Sequence, residues 1–401
     1  MKRDLHIAIP AMDELDFLTM TLNDISRQET NYAFTVYICV NQPDNWWNDP
    51  QKSVICKNNQ QLLYLLEKER RFPLKILDFS TQGKGWKGKN YGVGWARKIL
   101  FDFIIQNAEP HDIIISLDAD TRFSPLYFQS VGENFSLNDI EAVSIPYYHK
   151  LTGNERADRA ILRYEIYMRN YAINMSLIRS PYNFTAIGSA MAFQVKILKK
   201  IGGMTPMKSG EDFYLLQKIR KTTSISNKNN EMVYPAARFS SRVFFGTGPA
   251  MIKGDQGDWE SYPVYHYSLF QEVKKTYDAL PIIFTTDIDL PFIHFLKEQY
   301  KEENIWRPLR KNFKELHLFQ RAFHEKADGL RILQYLKMAN KQTQRSDEQA
   351  LIENLHYFMP NKDIPFLNTG FDFNTLSILE LNQIRDLLFE LEMEMRVDIN
   401  N

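Results

Sequence analysis

The sequence predicts an α/β protein with a doubly wound, mostly parallel sheet, followed by a helical C-terminal region. Three observations support this prediction. Strand-like and helix-like segments alternate regularly in the first part of the chain. An apolar run from Ile113 to Leu117 leads directly into two carboxylates, Asp118 and Asp120. After Pro281 the strand signals stop and long helical patterns follow.

The first part of the chain contains four strand-like segments separated by helix-like segments. Short aliphatic runs bounded by turns are typical of strands, and apolar residues spaced three or four apart are typical of helices. The predicted elements are strands over Leu5 to Pro10, Phe34 to Val40, Leu74 to Phe79 and Asp112 to Leu117, and helices over Asp13 to Arg27, Ser53 to Arg71 and Tyr91 to Gln106. Such alternation predicts a parallel sheet with its ligand site above the C-terminal strand ends.

Helices dominate the rest of the chain. Further predicted elements are a strand over Ala186 to Phe193 and helices over Asn154 to Ile178, Val195 to Lys200, Phe213 to Lys221, Phe292 to Tyr300, Lys314 to Asn340, Ser346 to Phe358 and Leu376 to Arg396. The helix from Asn154 to Ile178 interleaves arginines with tyrosines, which favours an amphipathic helix with a solvated face. We place a domain boundary near Pro281, so that residues 1–280 form the α/β domain and residues 281–401 the helical region.

Composition excludes several classes of protein. The 49 basic and 49 acidic residues of the 401-residue chain cancel, so no overall field favours nucleic acid as a partner. Cys39 and Cys56 have no metal-ligand spacing and are too few for a disulfide framework, which fits a reducing compartment. No apolar stretch has the length of a signal peptide or a membrane span. We therefore expect a cytoplasmic protein without a transmembrane segment.

Asp118 and Asp120 form the first candidate site. A turn that begins at Asp118 brings both carboxylates toward one hard divalent cation that still carries phosphate oxygens. The alternative is an Asp-rich turn before Ser124 and Pro125, and the Asp-X-Asp pattern taken alone supports both interpretations equally.

The second candidate is the loop from Gly83 to Asn90, which nearly matches the phosphate-binding Gly-x-x-x-x-Gly-Lys-Ser/Thr loop. It has Asn90 where that loop needs a hydroxyl, and it follows the third strand rather than the first. We rank this P-loop interpretation second. A looser hypothesis is a basic loop whose Lys84 or Lys87 approaches a diphosphate, with Arg97 on the following helix as a further charge. The alternative is a basic surface turn.

Two further candidates lie downstream. Glu211 and Asp212 follow a Gly-Gly break and Gly210, where they either complement a helix dipole or act in general-base catalysis. His266 lies in a strand-like aromatic run, Tyr262 to Tyr267, and is either a metal ligand or a hydrogen-bonded structural histidine.

Together these motifs resemble the family 2 glycosyltransferases, which have the Rossmann-like, nucleotide-sugar-binding GT-A fold. The resemblance covers roughly the first two thirds of the chain by domain size, and the motifs appear in the family's order. They are Ile7 to Glu14, which resembles the first strand and its Pro-x-x-Asn/Asp-Glu turn, Gly92 to Arg97, Asp118 to Asp120 as the Asp-X-Asp motif, Gly188 to Phe193 as the acceptor-side strand, and Gly210 to Asp212 as the Glu-Asp pair.

The resemblance implies an inverting transfer of a sugar from a nucleoside-diphosphate sugar to a hydroxyl acceptor, in a setting such as polysaccharide biosynthesis. It implies Asp212 as the general base and Glu211 as the residue that positions the acceptor. Manganese or magnesium is assigned to Asp120, Asp118 and His266. The donor-binding residues are Pro10, Glu14, Asn41, Lys84, Arg97 and Asp118. The Gln-x-x-Arg-Trp signature of processive synthases is absent, which favours a single transfer.

Some parts of the sequence leave alternatives open. Asn41 stands where the family commonly has an acid that contacts the nucleobase, so the identity of the donor's nucleobase is not predicted. The segments Arg238 to Arg242 and Gly246 to Gly248 resemble segments that close over the diphosphate, or are structural turns. The C-terminal helices are predicted to form a solvated bundle. The sequence does not choose among three roles for it: homodimerisation, covering the acceptor site, or contact with the inner membrane surface through Trp306 to Lys311. Rival activities are a P-loop-like nucleotidase, a sugar nucleotidyltransferase and a non-catalytic scaffold.

Overall fold

A computed structural model describes residues 3–137, 140–208, 210–240, 246–362 and 370–398. The chain divides into two compact units. Met1–Ile161 with Phe184–Gln256 form the first, called the sheet unit here, and Leu162–Asn183 with Gly257–Asn401 form the second, called the helical unit. The domain boundary near Pro281 stays a prediction.

The sheet unit contains a six-stranded sheet with strand order β3-β2-β1-β4-β7-β6 and a two-stranded sheet of β5 and β8. The strands are β1 Leu5–Ala11, β2 Phe34–Asn41, β3 Leu74–Phe79, β4 Ile113–Ser116, β5 Arg122–Phe123, β6 Ala142–Ser144, β7 Met191–Gln194 and β8 Val233–Tyr234. Strand β1 pairs in parallel with β2 and β4, and β2 with β3, whereas β7 runs antiparallel to β4 and β6. The predicted mostly parallel α/β sheet is therefore confirmed.

Helices connect these strands. They are α1 Leu15–Ser26, α2 Ser53–Glu67, α3 Val93–Asn107, α4 Tyr127–Leu137, α5 Glu155–Leu177, α6 Val195–Lys200, α7 Glu211–Arg220 and α8 Thr247–Asp255, with one 3-10 helix at Asp44–Asn48. Helix α5 begins in the sheet unit and continues into the helical unit. The first three helices lie where the apolar spacing predicts them.

The central strands β1 and β4 are buried along their whole length. This explains their nearly continuous apolar sequence, since a parallel strand in the middle of such a sheet is covered on both faces. Parallel strands end at the same edge of a sheet. The residues that follow β1, β2, β3 and β4 are therefore gathered at one edge, where the candidate site forms.

The helical unit contains eight further helices among the residues described. They are α9 Tyr267–Asp278, α10 Leu280–Ile283, α11 Pro291–Tyr300, α12 Arg307–Asn312, α13 Leu316–Lys326, α14 Gly329–Asn340, α15 Asp347–Phe358 and α16 Ile378–Asp398. Two predictions were wrong here. The single helix over Lys314 to Asn340 is two helices, because Asp328 caps α14 by accepting a hydrogen bond of 3.2 Å from the Arg331 amide. The strand-like run Tyr262 to Tyr267 forms no strand and leads into α9 instead.

Helix α5 also differs from its prediction, since two of its four arginines, Arg163 and Arg169, are buried. Arg169 and Glu165 are both fully buried. Arg169 donates to Glu165 Oε1 at 2.9 Å and to Glu392 Oε2 of α16 at 2.6 Å, and Arg385 of α16 pairs with the second oxygen of Glu165. Charged residues can occupy a core when each has its counter-charge in place, and this pairing attaches α16 to α5.

The segment from Trp306 to Lys311, one alternative for membrane contact, buries its two largest apolar side chains. Trp306 is 2% exposed and Leu309 is 9% exposed, so both lie inside the helical unit, and membrane contact stays a prediction. Arg310 donates to the carbonyl of Ile283 at 2.7 Å. Over the described parts of the chain, no helix combines the length and the apolar character that crossing a bilayer requires.

The α5–α16 ion pairs lead to a stability prediction. We expect Arg169→Met to lower the free energy of unfolding by about 3–5 kcal/mol, because it leaves the buried carboxylates of Glu165 and Glu392 short of a counter-charge. The measurement is urea denaturation followed by circular dichroism. The matched control is Arg159→Met on the same helix, whose partner Glu155 is 74% exposed and whose loss should cost less than about 0.5 kcal/mol. Equal costs for the two variants would contradict the prediction.

Candidate active site

Arg97, in the first turn of α3, lies at the centre of the candidate site. Its side chain is almost fully buried and pairs with two carboxylates, Asp118 and Glu211. Its Nε atom donates to Ser116 Oγ, the last residue of β4, at 3.3 Å. A buried guanidinium is costly unless its donors are all directed at acceptors. Arg97 therefore fixes the loop after β4 and the start of α7 relative to each other.

Gly188 makes room for this guanidinium. The Gly188 carbonyl accepts a hydrogen bond of 2.7 Å from Ser116 Oγ, and a Cβ atom at this position would overlap the Arg97 guanidinium. The small residue before β7 thus lets the backbone approach Arg97 closely. This gives a physical role to the first residue of the segment that the resemblance assigns to the acceptor side.

Glu211 and Asp212 begin helix α7, after Gly210 in the left-handed conformation with φ of 73°. Glu211 is buried against Arg97, and Asp212 is partly buried, with its carboxyl group shielded from water. Asp212 Oδ1 accepts a hydrogen bond of 2.7 Å from the Phe213 amide. Burial of the carboxyl group and the neighbouring charge of Glu211 raise the pKa of Asp212 to about 7, although Arg97 acts in the opposite direction. Such a carboxylate can accept and release a proton near neutral pH.

A second arginine bridges the other two acids of the site. Arg238 donates from its terminal NH2 group to Glu14 Oε1 at 2.6 Å and lies 2.6 Å from Asp120 Oδ2 with the same nitrogen. Its Nε atom donates to the same Asp120 oxygen at 2.8 Å. The guanidinium lies over the ring of Phe17, 4.0 Å from its centroid. Glu14 and Asp120 are thereby linked through one positive group.

The acids of the site have the donor chemistry of a Mg²⁺ or Mn²⁺ site, since hard cations prefer carboxylate oxygens. Glu14 and Asp120 direct one oxygen each at a single nitrogen of Arg238, so a position favourable to positive charge already exists between them. Asp118 instead pairs with Arg97. Within the described ranges no three His, Cys, Asp or Glu side chains are grouped closely enough to form a metal cluster.

The loops after β2 and β3 pack together beside this edge. Asn41, at the end of β2, donates its amide to the Ala11 carbonyl at 3.0 Å and accepts from Trp86 Nε1 at 3.3 Å, and Trp86 stacks on Phe79. The Asn41 amide thus holds the loop in place in this structure. Lys84 is exposed and forms an ion pair with Asp78 at 3.0 Å.

The remaining predicted site residues are Pro10 and His266. Pro10 is buried in β1 beside Cys39, directly before the turn that carries Glu14. His266 belongs to the helical unit, where it caps α9 and accepts from the Ser268 amide. Its ring also lies 2.8 Å from Glu353 Oε2. The predicted role of His266 as a metal ligand has no support from these contacts and stays a prediction.

Sequence reasoning did not assign Ser116, Gly188 and Phe17 the roles that they have in the structure. The sequence does indicate a special role for Ser116, because it is a polar residue inside an otherwise aliphatic buried strand. It gives no such indication for Gly188 and Phe17, since the close approach to Arg97 and the ring under Arg238 exist only in the folded chain.

No protein-family model matches the sequence, and no curated protein matches it. Several solved structures are similar. S. aureus TarS 1-349 in complex with UDP-GlcNAc is 12% identical with a TM-score of 0.43, over 96% of this chain and 90% of that chain. Mannosyltransferase PcManGT from Pyrobaculum calidifontis in complex with GDP-Man and Mn²⁺ is 12% identical with a TM-score of 0.38, over 81% of this chain and 87% of that chain. Glucosyl-3-phosphoglycerate synthase from Mycobacterium tuberculosis in complex with UDP is 13% identical with a TM-score of 0.32, over 56% of this chain and 70% of that chain. At these values the chemistry has to be argued from the side chains of the site.

The raised pKa of Asp212 can be tested directly. We expect the Asp212 carboxyl group to titrate near neutral pH, and Glu211→Gln to lower its pKa because the exchange removes a like charge. The measurement is a carbon-13 NMR titration of the aspartate carboxyl signals, with Asp212→Asn to assign the signal. Glu67→Gln, an exposed glutamate of α2, serves as the control and should leave the titration unchanged. An unshifted Asp212 signal in Glu211→Gln would show that the pKa has another cause.

Proposed function

We propose that this protein transfers a sugar from a nucleoside-diphosphate sugar to a hydroxyl group of an acceptor, with inversion at the anomeric carbon. The observation that carries the proposal is Asp212, a carboxylate whose pKa is raised to about 7, next to the ion-paired cluster of Arg97, Asp118 and Glu211. The cluster lies at the C-terminal edge of a mostly parallel sheet, where such sheets bind nucleotides.

Asp212 acts as the general base. An attacking hydroxyl must lose its proton as the new glycosidic bond forms, and a carboxylate with a pKa near the working pH accepts that proton efficiently. Since Asp212 must be deprotonated to do so, the rate should rise as the pH increases through the range around 7 and level off above it. Glu211, fixed by Arg97, orients the acceptor hydroxyl toward the anomeric carbon.

The leaving diphosphate needs positive charge near Asp118 and Asp120. When bound, a Mg²⁺ or Mn²⁺ ion would neutralise part of the negative charge that develops on the leaving group. Asp120 would hold this ion, with Glu14 directed at the same point and Asp118 beside the ribose or the ion; His266 stays a further predicted ligand. Pro10, Asn41, Lys84 and Arg97 complete the proposed donor site.

Two broader parts of the proposal rest on the sequence. The absence of a processive signature favours one transfer for each acceptor rather than a polymer. We place the enzyme in the cytoplasm, with the inner membrane surface as one site of action and a homodimer through the C-terminal helices as one mode of assembly.

Asp212→Asn tests the proposed base. We expect transfer to fall by about 100-fold or more, because the amide cannot accept the proton, while nucleoside-diphosphate binding is retained. Binding is measured as the rise in melting temperature with UDP, GDP or dTDP, each with and without Mn²⁺, and the diphosphate that stabilises the protein identifies the donor for the transfer assay. Asp102→Asn, on the outer part of α3, is the control. Equal loss of binding and transfer would assign Asp212 to donor binding or folding.

The P-loop alternative predicts a different result at Lys89. In a P-loop the Gly-Lys pair leads directly into the helix, whereas here α3 begins at Val93 and Gly92 precedes it as the cap residue. We therefore expect Lys89→Ala to leave nucleotide binding and transfer unchanged. A nucleotidase would lose nucleoside-triphosphate hydrolysis in this variant. A nucleotidyltransferase would release pyrophosphate instead of a nucleoside diphosphate, and a pyrophosphate-specific assay of the products distinguishes the two.

A further inference from the structure

Arg238 is bound to the site almost entirely through its charge. Two carboxylates, Glu14 and Asp120, contact its guanidinium, and the ring of Phe17 covers one face. Its side chain is 21% exposed, whereas that of Arg97 is 3% exposed. Arg97 is enclosed by β4, α7 and Gly188, whereas the Arg238 side chain is partly accessible to solvent.

The described part of the site is rich in carboxylates. Glu14, Asp118, Asp120 and Glu211 all contact the guanidinium groups of Arg97 and Arg238. A diphosphate brings more negative charge, so its entry is unfavourable until positive charge is added near Asp120.

We infer that Arg238 is an exchangeable counter-ion, which occupies the cation position between Glu14 and Asp120 until a divalent cation replaces it there. Asp120 Oδ2 cannot serve both, because it already accepts both the Nε and the NH2 contact of Arg238. Once displaced, the guanidinium can pair with the phosphate oxygens of the donor. The inference rests on the proposed function for this last step alone, and it makes the binding of the cation and of the diphosphate cooperative.

The experiment measures Mn²⁺ binding to the full chain, using the electron paramagnetic resonance signal of free Mn²⁺ with and without UDP or GDP. For the wild type we expect weak Mn²⁺ binding that tightens by about tenfold or more when the diphosphate is present. For Arg238→Met we expect Mn²⁺ alone to bind about tenfold more tightly than to the wild type, with little further gain from the diphosphate. Adding Asp120→Asn to Arg238→Met should abolish the gain.

Two further variants separate the inference from simpler effects. Arg156→Met removes an exposed arginine that donates to Asp255 at 2.9 Å, and it should leave Mn²⁺ binding unchanged because it lowers only the overall charge. Arg238→Lys keeps the positive charge but cannot contact both carboxylates in the same way. It therefore provides a second test of the inference in case Arg238→Met does not fold. We expect it to bind Mn²⁺ about threefold more tightly than the wild type.

The outcomes are distinguishable. Unchanged or weaker Mn²⁺ binding in folded Arg238→Met and Arg238→Lys would show that Arg238 is a permanent structural clamp and would overturn the inference. Tighter Mn²⁺ binding in these variants supports the counter-ion. If no nucleoside diphosphate binds to the wild type under any condition, the proposed function fails, while the gain in Mn²⁺ affinity still reports on the counter-ion.

Discussion

The burial of one guanidinium, that of Arg97, is the constraint on which the rest of the site depends. A charge removed from water at 2% exposure is tolerated only if acceptors surround it, and here they come from two distant segments. Ser116 ends β4 and Asp118 lies in the loop directly after it, whereas Glu211 begins α7. The sheet therefore cannot reach its lowest energy without also assembling the acids, and the site is preorganised before any ligand arrives.

Under our inference, Arg97 supplies a fixed positive charge and Arg238 a releasable one. Arg97 has no room to move, because Gly188 lies directly against its guanidinium and both of its carboxylates are already engaged. Arg238 has the same chemistry on a more exposed stem. In the transfer that we propose, a rigid centre would keep the reacting groups aligned, and a releasable charge would let the surroundings of the diphosphate change during the reaction. Identical residue types thus take opposite roles because their burial differs.

Parts of the fold and the site could be predicted because they follow from local rules. The apolar run from Ile113 to Leu117 signalled a buried strand, and strand topology placed Asp118 at the binding edge. The burial of Arg169 in α5 was not predicted, because helical periodicity shows a charged stripe but not the residues that pair with it. Its partner Glu392 lies 223 residues away in the sequence. For the same reason Arg238 was recognised only as part of a basic segment. The contacts of Arg238 with Glu14 and Asp120 depend on tertiary structure, which cannot be derived from the spacing of residues along the sequence.

The ion pairs between α5 and α16 also bear on how a ribosome makes this protein. Translation proceeds at about 5–20 residues per second, so Glu392 emerges on the order of 10–45 s after Arg169. During that interval the nascent helix α5 has only half of its counter-charges, and the surface that α16 will cover stays open to water. A chain whose synthesis stops before α16 keeps that charged surface uncovered, which makes it a substrate for chaperones and proteases instead of a fully folded protein.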